Sequence, residues 1–149
     1  MKKLLSLVLC LVLMTSIFCP AYATEQTNVI YSELIYLEDG ISVLDELVVA
    51  STPRSTDKTA TRRQTYKKGD TVIGIIAFRA TFRYDGSSVS VISKSVTQTD
   101  TYDGYSYSQT SFTSSGGTVT LEGKLSKLLV INLSFSMSLT CDKNGNLST

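Results

Sequence analysis

The 149 residues carry 14 Lys or Arg against 13 Asp or Glu, with three Cys and neither His nor Trp. Without histidine there is no Ser-His-Asp or Cys-His nucleophile system, no His-ligated zinc site and no imidazole pH switch. At 42% hydrophobic and 18% charged residues the chain is too apolar to stay disordered, and its length suits one domain.

Lys2 and Lys3 precede the apolar run Leu4 to Met14, and small residues follow as Ala21-Tyr22-Ala23. That is the three-part pattern of a secretory leader with an A-x-A cleavage site at Ala21 and Ala23. The apolar core is too short for the ~20 residues of a spanning helix, so no stable membrane span is expected after cleavage. Lipoprotein processing at Cys10 or Cys19 fits poorly, because Leu9 and Phe18 stand where a small residue is wanted. Cleavage after Ala23 removes Lys2, Lys3 and two cysteines, turning a net +1 into −1 and leaving Cys141 alone. One thiol makes no internal disulfide, and Cys141 ends an alternating strand pattern, so it reads as a small buried hydrophobe.

Behind the near-neutral total lies a charge split. Residues 24–52 hold six acidic side chains and no basic one, whereas residues 53–83 hold eight basic and two acidic. The polar, proline-containing stretch around Pro53 reads as a linker, giving a leader over 1–23, an acidic segment and linker over 24–56 and a β-sandwich domain over 57–149. The simplest account docks the acidic segment on a basic face of the body; a sharper one makes it a displaceable pro-segment. Within it, Asp39-Gly40 between apolar runs signals a hairpin, while a short helix over Ser42 to Val49 fits the spacing nearly as well.

From residue 58 onward the pattern has period two. Strands are expected at about 58–67, 71–84, 88–99, 105–113, 118–125 and 129–141, separated by turns at Gly69, Asp85-Gly86, Asp103-Gly104 and Gly116-Gly117. The last is clearest: Leu129, Ile131, Leu133, Phe135, Met137, Leu139 and Cys141 alternate with outward positions that are nearly all Ser, Thr or Asn. The fold class is therefore mainly β, an antiparallel sandwich or barrel of about six to eight strands.

Few residues offer chemistry. Asp100 with Asp103, and Asp142, are the candidates for a paired-carboxylate site, but all sit in expected turns, where Asp serves its own backbone, and no enzyme activity is expected. Asp142 to Asn146 matches half a calcium loop with the glycine out of register, so a type I′ turn at Asn144-Gly145 is preferred and no metal or other cofactor is expected. Tyr102, Tyr105 and Tyr107 cluster around Asp103-Gly104; they could stack on sugar rings as a ligand-binding platform, or line the inner face of a sheet. The last strand is long enough to cross a bilayer as a β-strand, yet one such segment makes no β-pore.

The stretches Ala80 to Ser88 and Leu139 to Ser148, with Leu37-Glu38-Asp39-Gly40 and Lys58-Thr59-Ala60-Thr61, resemble a family of small secreted proteins from Gram-positive, Clostridia-like bacteria described as a domain of unknown function. The resemblance implies export and a β-rich body, and it supplies no catalytic residues. The expectation is a secreted, non-catalytic interaction or cell-surface-associated module, with a cell-wall glycan or another secreted protein as candidate partner and not nucleic acid; a glycan or cell-wall binding module and a membrane-active toxin are the alternatives.

Overall fold

Alternating side chains build two antiparallel sheets, which the computed structural model describes over residues 26–51, 56–128 and 131–149. The expected leader with Ala21 and Ala23, the expected linker around Pro53, and Leu129 and Val130 lie outside the described residues. Nine strands follow one another: β1 (Gln26–Tyr36), β2 (Ile41–Ser51), β3 (Asp57–Lys68), β4 (Thr71–Tyr84), β5 (Val89–Thr101), β6 (Ser106–Ser115), β7 (Thr118–Lys127), β8 (Ile131–Cys141) and β9 (Leu147–Ser148). The first sheet has the order β1-β2-β3-β4-β5 and the second β6-β7-β8-β9, with no barrel closed. The ninth strand exceeds the sequence expectation, because two residues beyond a turn carry no readable period.

The core lies between the sheets. Ile73, Ile76, Phe78 and Phe82 of the interior strand β4 belong to one core with Val119, Leu121 and Leu125 of β7 and Met137 and Leu139 of β8, all fully buried. Phe78 packs edge-on against Phe112, with ring centroids 5.7 Å apart. Cys141 is buried as expected, and burial pushes its thiol up from the ordinary value. On β8 Met137, Leu139 and Cys141 are fully buried, whereas Ile131, Leu133 and Phe135 are half covered. There Gly123 lets the ring of its cross-strand partner Phe135 lie over the backbone: a Cβ would stand 2.6 Å from Phe135 Cζ and 2.7 Å from the Ser108 carbonyl. An aromatic laid across a strand glycine restores the cover that the missing side chain removes.

The choice between hairpin and helix after Asp39-Gly40 resolves to the hairpin. Asp39 and Gly40 both take positive φ (59° and 70°), and the Ile41 N–H donates to Glu38 O, the type I′ geometry that matches strand twist. Ile41, Val43, Leu47 and Val49 then point inward on a strict period of two, with Asp45 between them. At Asn144-Gly145 the expected type I′ turn is not formed. Only Gly145 has positive φ, and its N–H closes the turn on Asp142 O, so the tight turn is centred one residue earlier, on Lys143-Asn144. The Asp142 carboxylate draws it there by accepting the N–H groups of Asn144 and Asn146.

The acidic segment is part of the first sheet. β2 pairs with β3 over ten residue positions from Ile41↔Lys68 to Ala50↔Thr59, so the negative strand runs directly beside the positive one. One charge pair is turned inward: Asp45, 1% exposed, accepts from Arg62 Nε at 3.1 Å, from Arg62 Nη2 and from Gln64 Nε2 at 3.0 Å. The Tyr66 hydroxyl completes the chain by donating to Gln64 Oε1 at 2.6 Å; burial, and then the Asp45 charge, hold it protonated. Arg62 Nη1 reaches across to the Ser138 carbonyl on β8. The guanidinium thereby ties the first sheet to a strand edge of the second.

Candidate binding surfaces

The three tyrosines surround the one link between the sheets. Asp103 and Gly104 form a type I′ turn (φ 53° and 74°) closed by the Tyr105 N–H on Tyr102 O, so the flanking tyrosines diverge. Tyr102 is 46% exposed, Tyr105 is 6% exposed inside the core, and Tyr107 is half-buried with its ring stacked 6.1 Å from Phe135. They form no common platform. The inner-face reading holds for Tyr105 and Tyr107, because the i, i+2 spacing carries both into the sandwich.

Tyr105 has one peculiarity. Its hydroxyl is buried without a hydrogen-bond partner among the described residues, while Lys127 Nζ lies 5.3 Å over its ring and pairs with Asp103 at 2.8 Å. An unsatisfied buried hydroxyl costs about 1–3 kcal/mol, so Tyr105→Phe is expected to leave stability unchanged or raise it by about 1 kcal/mol. A fall in the urea midpoint would overturn that.

The carboxylates are individually engaged. Asp100 accepts from Gln98 Nε2 at 2.6 Å and Asp103 from Lys127. Hydrogen bonds from Asn146, by side chain and backbone, hold the Asp142 carboxyl below the usual carboxylate range. Asp85 is lowered in the same way by the N–H groups of Ser88 and Ser87. Among the described residues no three of His, Cys, Asp and Glu gather as a metal site, and no helix is long and apolar enough to cross a membrane.

A different surface emerges at the edge of the first sheet. Strand β1 hydrogen-bonds to β2 on one side and, among the described residues, has no strand on the other. Val29, Ile30, Leu34, Ile35, Tyr36 and the following Leu37 are 37–78% exposed, and both faces of the strand are apolar. Strands β8 and β9 border β1 only around Ile30, Tyr31 and Ile35, and the large apolar side chains of β1 stay largely exposed. Sequence pattern alone assigns such residues to a core; their exposure follows from the unequal extents of the two sheets. Soluble proteins normally blunt a bare edge with charge or proline, and here Glu33 is the only charged residue on the described strand. No protein-family model, curated protein or solved structure matches the chain.

Proposed function

We propose that the protein is a secreted, non-catalytic interaction module that binds an extended segment of another polypeptide along β1. The observation that carries this reading is the set of five large apolar side chains on β1, with Leu37 just after it, beside a backbone edge that no other described strand covers. Main-chain pairing supplies affinity in strand addition, and pockets for alternate side chains supply selectivity. Glu33 on β1 and Glu38 and Asp39 just after it make the edge acidic, which favours a partner strand alternating apolar with basic residues. Export is supported by Lys2-Lys3, the apolar run and Ala21-Tyr22-Ala23, and the lack of histidine supports a non-catalytic role.

Fluorescence anisotropy with a synthetic ten-residue peptide of alternating valine and lysine tests the surface. The protein is expected to bind it, and to bind the valine–glutamate counterpart at least tenfold more weakly. Leu34→Ser/Tyr36→Ser, which removes apolar surface and leaves charge unchanged, should reduce the first affinity about tenfold. Equal affinity for the two peptides, or an unaffected variant, would sink the reading.

A further inference from the structure

The outward face of the first sheet carries a second feature, which meets β1 only at Thr27 and Val29, away from Leu34 and Tyr36. Strand register sets two rows across it: Val48, Thr61, Arg79 and Ser95 in one, and Glu46, Arg63, Ala77 and Gln98 in the next. Arg63 and Arg79 are therefore diagonal neighbours on adjacent strands, a relation that brings long side chains within reach of one another. A groove of about 460 Å³ runs between them, floored by Val48 and Ala77 and edged by Thr61 and Gln98. That volume is in the range of small-ligand sites.

The arginines differ in what holds them. Arg83, farther along the same face, is closed by Asp57 through two parallel bonds of 2.8 Å. Among the described residues Arg79 has only a long 3.4 Å contact from Nε to Thr61 Oγ1, and its terminal nitrogens engage no other described group. Arg63 faces Glu46 in register, yet no ion pair within 4.0 Å forms there among the described residues. Two guanidinium forks thus open onto a groove whose remaining lining is hydroxyl, amide and small apolar groups.

We propose that this groove binds a hydroxylated polymer bearing one phosphate or carboxylate per repeat. Arg63 and Arg79 each take an anionic group through paired N–H donors, a geometry guanidinium matches and ammonium does not. Thr61 and Gln98 hydrogen-bond to hydroxyls, and the Val48 and Ala77 floor accepts the carbon face of the repeat. Neutral polymers lack the group that the forks require.

The test measures binding of the full chain to immobilised poly(glycerol phosphate), polygalacturonate and neutral dextran, at two salt concentrations. Binding to at least one anionic polymer and none to dextran is expected, and the polymer retained identifies whether phosphate or carboxylate is the source of the anion. Arg63→Gln/Arg79→Gln should weaken binding at least tenfold. Arg63→Lys/Arg79→Lys, which keeps the charge, should also lose several-fold, while Lys124→Gln on the second sheet should change little. Thermal melting checks that each variant is folded, and the lysine pair serves if the glutamine pair is not. No binding to either anion, equal binding of dextran, retention by both arginine variants, or an equal loss in Lys124→Gln would overturn the proposal. Because Leu34 and Tyr36 lie outside the groove, failure here is distinguishable from failure at the β1 edge.

Discussion

Arg62→Met is expected to destabilise the fold by about 3–5 kcal/mol, the usual cost of leaving one member of a buried ion pair without its partner. Asp45 would keep only Gln64 as a donor while remaining almost fully covered, and the Ser138 carbonyl on β8 would lose the guanidinium that reaches it. The companion Asp45→Leu/Arg62→Met should cost markedly less than Arg62→Met alone, since it removes the stranded charge together with the pair. Urea unfolding at constant m value measures both. If the double variant is as unstable as the single one, the pair is a net source of stability and the argument from uncompensated charge fails. Retention of such a pair suits orientation: a methionine would fill the space, but only the guanidinium spans from the Asp45 carboxylate to a carbonyl on the opposite sheet.

A chain beginning at Asp57 is expected not to fold. Residues 26–51 bring Ile41, Val43, Leu47 and Val49 to the core, each worth about 1.5–3 kcal/mol on burial, or roughly 6–12 kcal/mol together. That matches the whole net stability of an ordinary domain, about 5–15 kcal/mol. Removal also bares the β3 edge over its pairing with β2 and uncouples Arg62 from Asp45. The purified 57–149 fragment should show no cooperative melt and poor amide dispersion. A fragment that melts cooperatively near the temperature of the full chain would show that the acidic segment is dispensable, as a pro-segment would be.

These two expectations mark where reading the sequence succeeds and where it stops. Strand β4 is legible to the residue, because Gly69-Asp70 and Asp85-Gly86 bracket a long alternation, and β8 is legible because Ser and Asn fill its outward positions. Strand β2 is ambiguous for a single reason: Asp45 occupies an inward position, and a polar residue there breaks the apolar period that Ile41, Val43, Leu47 and Val49 otherwise keep. Its partner Arg62 is seventeen residues away, so the compensation is visible only once the strands are paired. Sandwich and barrel share one alternation and differ in whether the outermost strands meet, which side-chain period does not encode. The candidate surfaces were hidden differently. Tyr102, Tyr105 and Tyr107 are close in the chain yet diverge around a tight turn, whereas Arg63 and Arg79 are sixteen residues apart and converge through register. Exposure of β1 depends on how far a second sheet extends over it, a property of the assembled layers.

Strict succession of the strands within each sheet also bears on how fast the chain reaches its native state. Every ladder in the protein is a hairpin between consecutive segments, so loop closure demands little entropy, and each meander can zip from its tight turns without waiting for distant residues. What remains is one non-local event, the meeting of the two meanders across the link at Asp103-Gly104. The first sheet is complete in sequence by Thr101, so a chain synthesised amino terminus first can assemble that half before the rest follows. Until the second half docks, Phe78 and Phe82 face solvent, which makes that interval the period of greatest exposure to aggregation.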